Sequence, residues 1–266
     1  MKVVVCVKQT PSTTAVFKVE NGQVSWDDPG GKPIVLNPWD EYAVEEGIQL
    51  QEAHGGETIA LTMGSEESQE ALKTCLAMGC SEAILVSDEA FSGSDTLGTA
   101  RVLAAAVRKA GDVQVALFGK QAIDGDTGQT IVQTAQQLGW TALTFVSNIV
   151  ELDPAEGTIT VDRLLEEGKQ TVKARLPAVI SVVKEINEPR YPSFMGIRKA
   201  NRATIPVWTA ADLELSGAVG AEASQVDWSE VSALPARDTE VEIIEADSVE
   251  EEARILVDRL FEEKVI

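Results

Sequence analysis

The first 140 residues alternate short apolar runs with helical patterns, and this alternation limits the fold more than any other feature. Largely apolar runs occur at Lys2 to Val7, Thr58 to Thr62, Ala83 to Val86 and Val115 to Phe118. Runs of this kind are typical of strands that are buried on both faces of a parallel sheet. The pattern therefore predicts an α/β chain with a doubly wound, mostly parallel sheet.

Other stretches favour antiparallel pairing. Thr141 to Val150 and Gly157 to Arg163 read as strands with a turn between them, and we expect them to extend the edge of the sheet. Val16 to Trp26 reads as a hairpin, because Asn21-Gly22 at its centre is a turn dipeptide.

A helix is predicted to begin at Asn37-Pro38-Trp39-Asp40. Asn37 can cap its free amides, Pro38 suits its first position, and Asp40 suits the positive end of the helix dipole.

One loop of the predicted sheet has the composition of a ligand site. Gly119 ends the run Val115 to Phe118, and a polar loop then leads to a helix that begins near Thr127 to Gln129. Loops at the carboxyl ends of parallel strands bind ligands, glycines let backbone approach a ligand, and free amides that open a helix suit phosphate. Asp124 and Asp126 would repel a bare phosphate, so they hold a ribose hydroxyl, cap the helix or order the loop. A well-capped connection without a ligand is the alternative interpretation.

Composition narrows the class of function. The chain has 266 residues, 44% of them hydrophobic, and a formal net charge of −21. These values fit a globular protein and disfavour nucleic acid and anionic membranes as partners, while they permit steering toward a basic protein face. No run is long and apolar enough to span a membrane, and Met1 to Val7 lacks a signal-peptide pattern. We therefore expect a cytoplasmic or organelle-matrix protein, with cytoplasmic favoured, and no membrane insertion.

Cysteine and histidine usage argues against several catalytic sites. Cys6, Cys75 and Cys80 form no CxxC motif and cannot pair completely, so a disulfide framework is not expected. The only histidine is His54, which we expect on the surface at a helix end. A hydrolase or transferase is disfavoured, because the chain lacks a nucleophile elbow and a His-based metal site is not expected.

The character of the sequence changes after Val183. Lys184 to Arg202 carries five basic residues in an otherwise acidic chain. One interpretation is an ordered surface loop that covers its own apolar residues, and the other is a docking segment with an apolar anchor rimmed by charge. The apolar side chains that look exposed are Tyr191, Phe194, Met195 and Ile197.

The end of the chain is expected to form an arm. Ser216 to Pro235 is rich in Gly, Ala and Ser and is long for a connection inside a compact domain. A helix from Ser248 to Glu263 follows. We therefore divide the chain into an α/β domain at 1–215 and an arm with a helix at 216–266, which packs on a partner. The side chains predicted to point inward from this helix are Val249, Ala253, Leu256, Val257 and Leu260.

Taken together and in order, several segments resemble the beta subunit of electron transfer flavoproteins, and the resemblance runs through the whole chain. Val161 to Pro177 resembles the family signature, although Glu167 stands where Gly or Asp is expected. The other matching motifs are Val5-Cys6-Val7-Lys8-Gln9, Asn37-Pro38-Trp39-Asp40 with Ala43-Val44-Glu45-Glu46, Met63-Gly64, Leu76-Ala77-Met78-Gly79, Gly119-Lys120-Gln121-Ala122-Ile123-Asp124 and Asn187-Glu188-Pro189-Arg190-Tyr191.

The resemblance implies a Rossmann-like, adenine-nucleotide-binding sheet in a heterodimer. An alpha subunit would carry most of a redox-active FAD, and this subunit would bury an adenine nucleotide of its own. Matched position by position, that site comprises Cys6, Asn37, Pro38, Trp39, Asp40, Met63, Gly64, Gly119, Lys120, Gln121, Ala122, Ile123, Asp124, Gly125, Asp126, Thr127, Gly128, Gln129 and Thr130.

The resemblance also implies a docking site for a redox partner. The partner would be an acyl-CoA dehydrogenase or a quinone- or ferredoxin-linked protein, with Phe194 in the place of the inserted anchor. The implied docking residues are Arg190, Tyr191, Phe194, Met195, Ile197 and Lys199.

The identity of the nucleotide depends on one stretch. Asp124-Gly125-Asp126-Thr127 resembles the electron-bifurcating members, although Thr130-Ile131-Val132 departs from the Val-Gly-Pro that often follows. This favours a second FAD here and admits NADH as a hydride donor; a simple one-FAD carrier with AMP is the alternative. No side chain need do acid–base chemistry, because the cofactor carries the reaction. A stand-alone adenine-nucleotide sensor is the alternative of another class.

Overall fold

The computed structural model describes residues 1–20, 22–28, 31–32, 34–227, 230–233, 235 and 241–266. Asn21 of the predicted hairpin turn and parts of the predicted arm lie outside the described residues. The strands are β1 Lys2–Cys6, β2 Gln9–Pro11, β3 Val16–Glu20, β4 Gln23–Asp27, β5 Ile34–Leu36, β6 Glu57–Met63, β7 Glu82–Val86, β8 Val115–Gly119, β9 Thr141–Asp153, β10 Thr158–Leu165, β11 Gly168–Arg175, β12 Ala178–Val182 and β13 Val207–Trp208. The α-helices are α1 Pro38–His54, α2 Gln69–Met78, α3 Thr96–Ala110, α4 Thr130–Leu138, α5 Phe194–Ala200 and α6 Val249–Glu262.

Nine strands form one sheet in the order β11-β10-β9-β12-β8-β1-β6-β7-β13. Neighbouring strands are parallel from β9 across to β13, whereas β10 at the edge is antiparallel to both of its neighbours, β9 and β11. The predicted mostly parallel sheet with an antiparallel extension is therefore confirmed. Strand β12 comes after β9, β10 and β11 in the chain, but in the sheet it lies between β9 and β8. All five of its residues are buried.

Helices cover both faces of the sheet. Val3 and Val5 pack in one core cluster with side chains of α1 and α2, while Val4 and Cys6 pack in another with side chains of α3. Successive strand residues thus face opposite layers, which explains why the strand runs are apolar throughout. Each Val or Leu that is fully buried in these layers stabilises the fold by about 1.5–3 kcal/mol.

Several local predictions are confirmed. β3 and β4 pair as a hairpin, and His54 is exposed at the end of α1. The three cysteines are buried and free. Helix α4 begins at Thr130, one residue later than predicted. The prediction that Asn37 caps α1 is wrong, because its side chain makes no capping hydrogen bond.

The first part of the predicted arm lies on its own chain. Arg101 donates a hydrogen bond to the carbonyl of Ala218 at 2.6 Å, and the amide of Gly220 donates one to Ser94 Oγ at 2.8 Å. These contacts account for the length of the segment without a partner, so any contact of the arm with another subunit stays a prediction.

The chain divides into a unit of residues Met1–Val231 and a unit of residues Ser232–Ile266. In the second unit, no residue of α6 is buried. Among the described residues of this unit, nothing covers the apolar face of α6 that was predicted to point inward. The proposed division at residue 216 stays a prediction.

Among the described residues, no helix combines the length and the apolar character needed to cross a membrane.

Candidate nucleotide site

Three loops leave the same edge of the sheet. Strands β6, β1 and β8 are parallel neighbours, so their carboxyl ends lie side by side. The first turn of α1 packs against this edge between the loop after β1 and the loop after β8. In an open parallel sheet this edge is where ligands bind.

Asp40 joins two of these loops. Its Oδ2 accepts a hydrogen bond from the amide of Lys8 at 2.7 Å, and its Oδ1 accepts one from the amide of Gly119 at 3.1 Å. Lys8 follows β1 and Gly119 ends β8, so one buried carboxylate holds both strand ends. Burial raises the pKa of Asp40 to about 7, even though these hydrogen bonds favour the ionised form.

Gly119 makes this packing possible. A Cβ at this position would lie 2.5 Å from Asp40 Oδ1 and 2.6 Å from the carbonyl carbon of Trp39. Distances of this size require the backbone to move apart, since both neighbours are buried or part of the main chain. The glycine that ends β8 therefore allows α1 to approach the sheet.

Asn37 orders the loop after β8. Its Nδ2 donates a hydrogen bond to the carbonyl of Gln121 at 2.9 Å, and its Oδ1 accepts one from the amide of Ile123 at 3.3 Å. This bridge is the physical reason that Asn37 does not cap α1. Pro38 at the first helical position has no amide hydrogen, so α1 begins with one fewer amide that needs an acceptor.

The two acids of the loop are paired within it. Asp124 accepts hydrogen bonds from Lys8 Nζ at 2.7 and 2.9 Å, and Asp126 accepts one from Gln121 Nε2 at 2.7 Å. The amide of Asp126 donates to the carbonyl of Ala122, which closes a turn. Of the three roles considered for these acids, the geometry matches the ordering of the loop. Lys8 also offsets the charge of Asp124, which lowers its repulsion of an anion.

Helix α4 begins with free amides. No side chain caps it, and within the described chain the amides of residues 127–132 find no acceptor. A Cβ on Gly125 would meet no atom within 4 Å, so the loop leaves open space there. Gln133 in the first turn has a buried Oε1 without a hydrogen-bond partner among the described residues. Free amides at the positive end of a helix are the form of an anion site, and the orphaned oxygen can accept a bond from a ligand hydroxyl or amino group.

Trp39 and Lys120 form one side of the loop. Lys120 Nζ lies 4.4 Å from the centroid of the Trp39 ring, which places the ammonium over the aromatic face. The ring of Tyr42 lies 6.4 Å from that of Trp39, centroid to centroid. This contact keeps a second cation beside the acidic loop.

The remaining predicted site residues form the floor beneath the loops. Cys6 is buried and burial raises the pKa of its thiol, so it packs rather than reacts. Met63 packs against the core, and the amide of Gly64 donates to the carbonyl of Val86. In the part of the chain that the structure describes, no three His, Cys, Asp or Glu side chains cluster as metal ligands would.

Sequence reasoning missed Lys8 and Gln133 as members of this site. Lys8 could have been found from its place directly after the first apolar run, where its side chain meets the acidic loop. Gln133 carries no comparable signal, because only the structure shows that its oxygen is buried without a partner.

The implied docking residues lie on a separate surface. Tyr191, Phe194 and Met195 are 95%, 75% and 69% exposed, as their positions in the polar segment led us to expect. We call residues 191–197 the docking segment. Arg190, which precedes it, is instead ion-paired with Glu45 on α1.

Comparison with known proteins places this geometry in a family. The electron transfer flavoprotein domain matches residues 30–213. The chain is 38% identical to the caffeyl-CoA reductase–Etf complex subunit CarD of Acetobacterium woodii, over the full length of both proteins. It is 37% identical to the protein FixA of Azotobacter vinelandii, over 92% of this chain and 89% of the relative. It is 38% identical to the electron transfer flavoprotein subunit beta of Thermoanaerobacterium thermosaccharolyticum, over 81% of each. The chain therefore belongs to the electron transfer flavoprotein family, with relatives of the beta-subunit type.

Proposed function

We propose that this chain is the beta subunit of a heterodimeric electron transfer flavoprotein. The heterodimer carries electrons between a dehydrogenase and an acceptor through FAD that is held with an alpha subunit. Membership of the family supports the electron-transfer role. The observation that supports a nucleotide in this chain is the start of α4, where the amides of residues 127–132 are free.

This chain's residues bind and orient the nucleotide. The free amides of α4 would hold its phosphates, and the open space at Gly125 would let a diphosphate approach the backbone. Asp40 and Asn37 hold the two loops at a fixed separation before any ligand arrives. Preformed loops of this kind reduce the ordering cost of binding.

We propose a second FAD rather than AMP as the nucleotide of this subunit. Support comes from Asp124-Gly125-Asp126-Thr127, which resembles the electron-bifurcating members, and from CarD, whose name places it in a reductase–Etf complex. When bound, this flavin would supply hydride acceptance from NADH and the division of the electron pair between two acceptors. Cys6 is buried and the carboxylate of Asp40 is held by two amides, so we assign neither side chain a part in that chemistry.

The docking segment is proposed to meet an acyl-CoA dehydrogenase or a quinone- or ferredoxin-linked partner. Exposed aromatic and aliphatic side chains at the tip of an ordered segment are the usual anchors of a protein interface. Phe194 is the proposed anchor. The heterodimer is proposed to be cytoplasmic, and the net charge of −21 on this chain favours basic protein faces over nucleic acid.

The test is the identity and amount of nucleotide that the purified native heterodimer releases on denaturation. Two FAD per heterodimer support the two-flavin form, and one FAD with one AMP supports the simple carrier. A chain that purifies without flavin and without a companion subunit would be the stand-alone sensor, and it would overturn the proposal.

A further inference from the structure

The docking segment is exposed but held in place at its start. Residues 191–197 present four large apolar side chains to solvent, and Ser193 caps the short helix α5 by accepting a hydrogen bond from the amide of Gly196 at 2.9 Å. A flexible segment would lose more conformational entropy on docking than a fixed one. The residues that fix the segment therefore influence docking without touching a partner.

Arg190 directly precedes this segment and binds two acids of α1. Its Nε and Nη2 donate to Glu45 at 2.8 and 2.9 Å, and its Nη1 and Nη2 donate to Glu52 at 2.7 and 3.1 Å. Its own amide also donates to Glu45 Oε2 at 3.1 Å. Two forked pairs occupy the guanidinium, which is the strongest geometry for a carboxylate contact. We call Arg190, Glu45 and Glu52 the latch.

A second contact reinforces the latch from the same side. Asn187 Nδ2 donates hydrogen bonds to the carbonyl of Tyr42 at 3.1 Å and to Glu46 Oε2 at 3.0 Å. Glu45 and Glu46 are both buried. Burial pushes the pKa of Glu45 upward, but its bonds to Arg190 outweigh that effect and the net shift is downward. The latch is therefore fully charged at neutral pH.

The other end of the segment rests on α2. A Cβ on Gly196 would overlap the carbonyl oxygen of Ala77, so α5 lies in direct backbone contact with the end of α2. Ala200 is buried in the same contact region. The exposed side chains of Tyr191, Phe194 and Met195 thus lie between two fixed points, the latch and Gly196.

We propose that Arg190 is a positioning residue that holds the docking segment on α1, and that it does not itself contact the redox partner. This inference rests on the proposed docking role of the segment. It differs from the implied docking role of Arg190, because a guanidinium that spans two acids of its own chain has little capacity left for another protein. Positive charge that is open to a partner lies instead just after the segment, on Arg198 and Lys199, neither of which forms an ion pair with a described residue.

The test compares Arg190→Ala with Arg198→Ala in the intact heterodimer. Both variants remove one positive charge from the same region, but only the first breaks the latch. The amides of this segment that are hydrogen-bonded are those of Gly196 and Ile197, both to Ser193. We expect Arg190→Ala to speed the hydrogen exchange of these two amides at least tenfold, and Arg198→Ala to leave it unchanged. We also expect Arg190→Ala to raise the KM for the partner protein about fivefold with kcat nearly unchanged, since ordering is lost and chemistry is not. Arg190→Lys should restore part of the protection.

A second variant guards against misfolding. Arg190→Ala leaves Glu45 buried and without its ion pair, which could unfold the protein. The double variant Arg190→Met with Glu45→Gln removes the charges of Arg190 and Glu45 together. It should remain folded and show the same fast exchange. The proposal is overturned if exchange is unchanged in this double variant, or if Arg190→Ala and Arg198→Ala raise KM equally without any change in exchange. Exchange is measured without a partner, so a failure of the proposed docking role would appear separately, as no effect of Phe194→Ala on electron transfer.

Discussion

Asp40 Oδ1 accepts a hydrogen bond from the amide of Gly119 at 3.1 Å, and a Cβ on Gly119 would lie 2.5 Å from that same oxygen. The two residues can pair only because one of them has no side chain. Asp40 simultaneously holds the amide of Lys8, so this relationship sets the separation of the loops after β1 and β8. The packing of Gly119 against Asp40 and the protonation of Asp40 can each be tested.

Gly119→Ala is expected to destabilise the protein by about 2–4 kcal/mol, because the methyl group would overpack against Asp40 and the main chain of Trp39 and would break a buried hydrogen bond. Urea unfolding of the heterodimer measures this change. Gly125→Ala is the matched control, since its Cβ would meet no atom within 4 Å, and it should change stability by less than about 0.5 kcal/mol. Equal stabilities for the two variants would contradict the packing described here.

Asp40→Asn is expected to change the pH dependence of stability. The pKa of Asp40 is about 7 in the folded protein and 3.8 as its ordinary value, so the folded state binds the proton more tightly. Its contribution to stability is fully present below about pH 4 and is lost as the pH rises to 7, by up to about 4 kcal/mol. The variant is neutral throughout. The stability of the wild type minus that of the variant should therefore fall between pH 4 and 7.

Asp162→Asn is a control for that experiment, because the pKa of Asp162 is shifted in the opposite direction from that of Asp40. Lys169, Thr171 and Asn148 hold the pKa of Asp162 at about 2, below its ordinary value of 3.8. Its contribution is present above pH 4 and is lost as the pH falls toward 2. The corresponding difference curve should rise between pH 2 and 4 and be flat above. A flat curve for Asp40→Asn from pH 4 to 7 would show that Asp40 is not a buried acid of raised pKa.

Lys8→Met is expected to weaken nucleotide binding about three- to tenfold. The substitution leaves the carboxylate of Asp124 without its ion pair, so that its negative charge repels an anion at the proposed phosphate site. The ion pair is partly exposed, so stability should change by less than about 1 kcal/mol. Titration of the nucleotide into the stripped heterodimer measures the affinity. Adding Asp124→Asn to Lys8→Met should restore binding. If binding stays weak in the double variant, Lys8 contacts the ligand directly and the charge-offset role is wrong.

The layers of this protein were predictable from its sequence, whereas the pairing of its polar side chains was not. Runs such as Val115 to Phe118 report burial on both faces, and that local property is enough to predict parallel strands. The place of β12 between β9 and β8 depends on a long-range pairing that leaves no local pattern. Asn37 carries every local sign of a cap, but two loop groups that meet it only in the folded chain compete successfully for its amide.

In the candidate site, too, the local features were predictable and the long-range side-chain contacts were not. Its glycines and helix start were visible as composition, because backbone freedom and free amides are local properties. The ion pair between Lys8 and Asp124 was not predictable from the sequence, because the two residues are 116 positions apart in the chain. The ion pairs of Arg190 were not predictable for the same reason, because both of its carboxylate partners lie on α1, much earlier in the sequence.

Phe194→Ala is expected to slow electron transfer to the partner protein at least tenfold, because it removes the proposed anchor of the interface. The side chain is 75% exposed, so flavin content and unfolding midpoint should stay unchanged. Stopped-flow reduction or oxidation with the partner measures the rate. Val150→Ala, another exposed apolar residue outside the docking segment, is the control. Unchanged rates for Phe194→Ala would show that the docking segment does not bind the redox partner through this side chain.

Gly125→Trp is expected to empty the nucleotide site of this subunit without unfolding it. The position borders open space, so a large side chain meets no neighbour within 4 Å at its Cβ and can be accommodated by the fold. In the proposed site, a phosphate reaches the free amides of α4 through this space, and we expect an indole there to exclude it. Quantifying the nucleotide released per heterodimer, with Gly125→Ala as the small-residue control, separates occlusion from misfolding. Full nucleotide content in Gly125→Trp, at wild-type stability, would move the site away from the loop after β8.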